Sequence, residues 1–150
     1  MKRRLIKSLI QSKIVDISRV CDLICIQFET KDKKRISLHV QSFFRIIKEQ
    51  QIILSSEDMY RCGKKCNSEV FEWDIPGNSI FDECLCSNKR WIYKERLIKI
   101  KRKKCGDLLL TFENNMFMQI FVDTTCIEEK YRIFLCWANI LRLKKQRTNK

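Results

Sequence analysis

Two stretches of this chain can be laid over one another. Set "KIVDISRVCDLICIQFE" over "RLIKIKRKKCGDLLLTFE", and Val15, Ile17 and Arg19 fall on Ile98, Ile100 and Arg102. After a one-residue adjustment, Cys21, Ile24, Ile26, Phe28 and Glu29 fall on Cys105, Leu108, Leu110, Phe112 and Glu113. The shared residues alternate, the period-2 pattern of strands with one face buried. Each copy then turns back. The second does so at Asn114-Asn115, residues that accept the positive φ of a two-residue hairpin turn; the first uses the longer "ETKDKKR". Return strands follow, through Ile36, Leu38 and Val40 in one copy and from Phe117 to Val122 in the other. Both copies close on the same phrase, aromatic-arginine-isoleucine: Phe44-Arg45-Ile46 and Tyr131-Arg132-Ile133.

The pattern predicts a mainly β (α+β) fold. Two similar antiparallel β-meander halves, about 13–53 and 95–134, pack together as a duplicated unit, joined by a connecting segment 54–94. A length of 150 residues suits one domain with a proper core, and one proline with three glycines argues against long linkers. "MKRRLIKSLIQSK" reads as a short basic amphipathic helix belonging to the fold, not a secretory signal: Lys7 and Ser8 break its apolar part and no small-residue cleavage site follows. "SIFDECLCSNKRW" predicts a helix capped by Ser79, with Asp82 and Glu83 in its first turn. Before it, "EVFEWDI" alternates as an additional strand would, stopped at Pro76-Gly77. Leu135, Ile140, Leu141 and Leu143 are spaced as on a helix, ahead of a basic tail 144–150.

Candidate chemistry is sparse. His39 is the only histidine, which rules out a His-rich metal site. It faces away from Leu38 and Val40, where it and Gln41 and Arg45 form a hydrogen-bonding contact or stand as ordinary strand residues. Cys62, Cys66, Cys84 and Cys86 supply four thiols, but spacings of three and one residues depart from the two usual in zinc ribbons. They read as reduced thiols, with neighbouring lysines lowering their pKa, ahead of a structural zinc. Nine cysteines, an odd number without a signal peptide, point to a reducing cytoplasm; Cys21, Cys25, Cys105, Cys126 and Cys136 read as small apolar filling. Glu57, Asp58, Asp82 and Glu83 are the best carboxylate cluster for acid–base work, but "SSED" reads first as an acidic turn or helix start with Ser56 capping. No phosphate-binding glycine loop or nucleophile elbow occurs. The expectation is a non-enzyme without cofactors.

The formal charge of +13 favours acidic partners. "KDKKR" and "KRKK" carry the basic runs, Lys101, Arg102, Lys103 and Lys104 forming the second, at related places in the two halves. They are a nucleic-acid contact or a solvated rim; aromatic residues are not interleaved with them along the chain, which argues against a stacking platform.

"DLICIQFE", "LHVQSFFRII", "IILSSEDMY", "GDLLLTFENNMFMQIFVDTT" and "EEKYRIF" together resemble a group of small uncharacterised bacterial proteins. Their pattern runs His-Val/Ile-Gln, Trp-Arg-Ile, Ser-x-Asp-x-Tyr, Gly-Asp-Leu, then glutamate followed by Trp-Arg. The resemblance covers roughly residues 13 to 134, with Phe44 and Tyr131 where tryptophan is expected. It implies no activity; some similar domains look like immunity proteins that neutralise a toxin. His39, Gln41, Arg45, Asp58, Tyr60 and Arg132 are the candidate contact positions. The implied partner is another protein, with nucleic acid as the alternative through the charge, a second copy of the chain also admitted, and no membrane.

Overall fold

The computed structural model describes residues 3–123, 125 and 131–135, the last five by backbone alone. A short helix α1 (Arg3–Leu9) leads into strands β1 (Lys13–Val20), β2 (Leu23–Glu29) and β3 (Arg35–Val40). The chain crosses to β4 (Phe44–Lys48) and β5 (Gln51–Ser55), then passes through a 3-10 turn (Ser56–Tyr60) and a second one (Ser68–Val70) into α2 (Ile80–Ile92). The second meander is β6 (Leu97–Arg102), β7 (Leu108–Phe112) and β8 (Met116–Ile120), followed by β9 (Tyr131–Leu135). The anticipated helix and basic tail beyond Leu135 lie outside the described residues.

All pairings between these strands are antiparallel and build two sheets, in the orders β1-β2-β3-β9 and β5-β4-β8-β7-β6. Each meander therefore sends its next strand to the other. β4 follows β3 in the chain but pairs with β8; β9 follows β8 but pairs with β3. The two exchanges share one register: Arg45 lies opposite Gln119, and Arg132 opposite His39. The hairpins match as well. Ile17 pairs with Ile26 as Ile100 pairs with Leu110, and both first strands bulge at the residue between Ile14 and Asp16 or between Leu97 and Lys99. The repeated aromatic-arginine-isoleucine phrase is the point where each half enters its neighbour's sheet.

Alternation explains the core. Ile24, Ile26, Phe28, Leu38, Phe44, Ile46, Leu108, Leu110, Met118 and Ile120 turn inward and are almost wholly buried. Each such side chain contributes about 1.5–3 kcal/mol over an exposed position. Asn114 and Asn115 take φ of 52° and 56° between β7 and β8, as their residue types suggest. Glu49 and Gln50 adopt the same positive-φ turn between β4 and β5 without any Asn or Gly to announce it. Helix α2 packs Phe81 edge-on to Phe44, ring centroids 6.3 Å apart, and Asn88 Nδ2 donates to the Ile53 carbonyl at 3.1 Å. At its far end the Tyr93 hydroxyl accepts the Ile17 N–H at 3.0 Å, so one helix reaches both sheets.

Three expectations are corrected. "EVFEWDI" forms no strand, because its carbonyls are taken by a side chain (below). Cys21 and Cys105 are exposed in hairpin turns and fill nothing. The two basic runs are not at related places: 31–35 spans the β2–β3 connection, whereas 101–104 leads into the β6–β7 connection, at the other end of its meander.

Candidate functional site

Arg19, at the end of β1, is the most thoroughly bonded side chain described. Its Nε donates to Asp82 Oδ1 at 3.2 Å and Nη2 to Asp82 Oδ2 at 2.9 Å. Nη1 donates to the Cys21 and Trp73 carbonyls at 3.1 and 2.7 Å, and Nη2 also to that of Ile75 at 3.2 Å. All five guanidinium donors are used, in a side chain only 1% exposed. Asp82 in turn closes a capping box with Ser79 and accepts the Gly77 N–H at 2.8 Å. Burial alone would raise its pKa; the bonds from Arg19, Ser79 and the Gly77 and Ser79 amides outweigh that and hold it at about 2. One buried ion pair thus ties β1, the 71–79 loop and the start of α2 together.

The clasp holds apolar groups out in water. Val20 is 67% exposed, Tyr60 48%, Trp73 39% and Ile75 50%. The rings of Tyr60 and Trp73 lie 5.0 Å apart. Between Tyr60 and helix α2 in the chain, Gly63 is packed so tightly that a Cβ there would meet Glu83 Oε1 at 2.5 Å and the Asn78 carbonyl at 2.8 Å. Glu72 and Asp74 flank Trp73 in the chain and are exposed, as is Arg61 after Tyr60; burial and then Asp22 and Glu57 push the Tyr60 hydroxyl's pKa upward, against the pull of Arg19. Carboxylates and cations therefore both neighbour the aromatic pair, on a chain of charge +13. Sequence reasoning marked Tyr60 but missed Trp73 and Ile75, having read their segment as a strand.

The other candidate residues are scattered. His39, whose pKa burial lowers, faces outward from β3 opposite Arg132, while Arg45 is on β4 in the other sheet. The grouping of His39 with Arg45 fails because the chain changes sheets between them, and Gln41 is exposed in that crossing. Arg45 Nε donates to Gln119 Oε1 at 2.8 Å, its guanidinium 5.4 Å from the Phe121 ring centre. The Arg132 side chain lies outside what is described. Asp58 is half-buried in the first 3-10 turn, where its carbonyl accepts the Arg61 N–H. The carboxylate cluster is dispersed into structural duty: Glu83 Oε1 accepts the Lys65 N–H at 3.0 Å, while Asp82 belongs to the clasp.

Cys62 Sγ lies 3.6 Å from the Cys66 carbonyl, while Cys84 packs against the core and Cys86 is exposed. Among the described residues no group of three or more His, Cys, Asp or Glu is placed to hold a metal ion. Burial, with Cys66 and Glu83 adding to it, raises the Cys62 pKa, and burial raises that of Cys84, the reverse of the activation expected from Lys64 and Lys65.

The outer faces of the two sheets share a register and differ in chemistry. Across β1, β2 and β3 the outward rows read Asp16-Gln27-Ser37 and Ser18-Cys25-His39. At the matching places across β6, β7 and β8 they read Lys99-Thr111-Phe117 and Lys101-Leu109-Gln119. The first continues through Ile47 to Ile52, itself 55% exposed. The first sheet's rows carry no lysine and continue to Phe134 and Arg132 of β9, with Ser37 only 3% exposed; the second's begin at two exposed lysines and continue to Ile47 and Arg45 of β4.

No protein-family model, curated protein or solved structure matches this chain. Among the described residues no helix is long and apolar enough to cross a membrane.

Proposed function

We propose that this chain is a non-catalytic, cytoplasmic bacterial binding protein of the immunity type, which recognises a basic partner protein through the Tyr60–Trp73 surface. The observation that carries this reading is an exposed aromatic pair, with Asp22 and Glu57 near enough to act on the Tyr60 hydroxyl, on a strongly basic protein. Exposed Trp and Tyr backed by fixed structure are the usual anchors of protein interfaces. Within a Debye length of about 8–10 Å carboxylates such as Asp22 and Glu57 act on an approaching surface, and a cationic one is accepted here. The sequence motifs shared with immunity-like domains support neutralisation by occlusion as the biological outcome. The test is titration calorimetry against a toxin encoded beside the gene, paired with a growth-protection assay. Trp73→Ala and Tyr60→Ala each weaken binding by roughly 30-fold or more, as interface anchors do, and abolish protection. Unchanged affinity in both variants sinks this surface; no binding or protection at all sinks the immunity reading.

A further inference from the structure

We infer that the outer face of the five-stranded sheet is a second binding site, for single-stranded nucleic acid. The carrying observation is the divergence of two faces built on one register. Where β1 presents Asp16 and Ser18, β6 presents Lys99 and Lys101, a charge inversion and a gain of charge. Where β2 and β3 have half-buried Cys25 and buried Ser37, β7 and β8 have Leu109 and Phe117, both half-buried. The core needs none of these changes, because every one of them points away from it.

Along the chain no aromatic is interleaved with the basic run; across the sheet one is. Lys99 and Lys101 lie on the same side of edge strand β6, about 7 Å apart, and both are exposed; Arg102, also exposed, pairs with buried Leu108 and belongs to the opposite side. Two cations in file along an edge strand suit a linear polyanion. Beside the track, on the next strands, lie Leu109 and Phe117, the surface on which unpaired bases settle when phosphates follow the lysines. A duplex would bring only phosphates and leave those two side chains unmatched. The two rows contain no carboxylate, and Asp107 at their end is occupied by the Val122 N–H at 2.9 Å and by Lys103 at 3.8 Å. The site is separate from the Tyr60–Trp73 surface and does not depend on it.

The test is fluorescence anisotropy of the whole protein with labelled oligouridylate and oligothymidylate, with a duplex and polyglutamate as competitors. Lys99→Glu/Lys101→Glu weakens binding at least tenfold and flattens the salt dependence by about 1.4 in log–log slope, as expected for two lost phosphate contacts. Phe117→Ala weakens it by roughly 5-fold or more without changing that slope. Should Phe117→Ala fail to fold, Phe117→Leu keeps the volume, removes the ring and gives the same loss. Lys31→Glu/Lys34→Glu, an equal charge change on the other sheet's loop, and Trp73→Ala both leave binding within about threefold, well short of the tenfold loss expected from the face. Equal losses from both lysine pairs, an inert Phe117, duplex bound as tightly as single strand, or displacement by polyglutamate at equal charge overturns the proposal. The last outcome assigns the face to an acidic protein. Preference for one oligonucleotide over the other identifies RNA or DNA as the ligand, and either supports the site.

Discussion

Arg19 and Arg102 occupy the same place in their two hairpins, opposite Ile24 and Leu108, yet only Arg19 is buried. What buries it is the 71–79 loop and Asp82, more than fifty residues away in sequence (|i−j| = 54 to 63). Arg19→Ala leaves Asp82 buried and its partner carbonyls unpaired, and lowers stability by about 3–5 kcal/mol in urea melts. Arg19→Lys rescues little, because one ammonium cannot span five acceptors fixed in a plane. The carboxylate's share of the clasp depends on pH in one direction. Its pKa falls from 3.8 to about 2 on folding, so the stabilisation is fully present above the unfolded value and disappears as pH falls through about 2. An acid titration followed by circular dichroism shows that loss between about pH 4 and pH 2, and Asp82→Asn removes this component of it. The paired arginines were visible in the sequence; which one would be enclosed was not, because alternation records facing and not what lies opposite. Glu95 escaped notice for the same reason. It is 2% exposed, 3.3 Å from Lys48 Nζ and 2.8 Å from Asn114 Nδ2, and nothing in "YKERL" announces those partners.

At the scale of elements, local chemistry was the reliable guide. Ser79 and Asp82 form the capping box that their spacing implied, and Ser79→Ala costs about 1 kcal/mol, measured as a shift of the urea midpoint. Asn114-Asn115 turns as expected, whereas Glu49-Gln50 makes the same turn because the β4–β5 pairing imposes it. Asn115→Val, a branched residue at φ 56°, lowers stability by about 1–2 kcal/mol in the same assay. "EVFEWDI" had the alternation of a strand but pairs with none. Its carbonyls went to a guanidinium instead, and that exchange turned a presumed core segment into the exposed Trp73 and Ile75. The strongest part of the candidate site was therefore hidden by a pattern that usually means the opposite.

For the whole molecule, the repeat made both meanders legible. It did not reveal the strand exchange, since β4 satisfies the same alternation beside β8 as it would beside β3. The exchange makes the halves thermodynamically inseparable: each sheet lacks a strand until the other half supplies it. Residues 1–53 expressed alone show no cooperative urea transition, while the full chain unfolds in a single one, with backbone and tryptophan signals coinciding.

A half-length chain ending in β4 would hold everything needed to close this body with a second copy of itself, each lending the other its last strand. Two identical copies would carry identical outer surfaces. Linking them in one polypeptide frees those surfaces from symmetry: one side can stay inert while its twin acquires lysines and a phenylalanine. The segment joining the copies has no counterpart to match at all, and it is there that the Tyr60–Trp73 pair stands. The fold is a domain-swapped dimer written as a single sentence, and that continuity gives it room to be asymmetric.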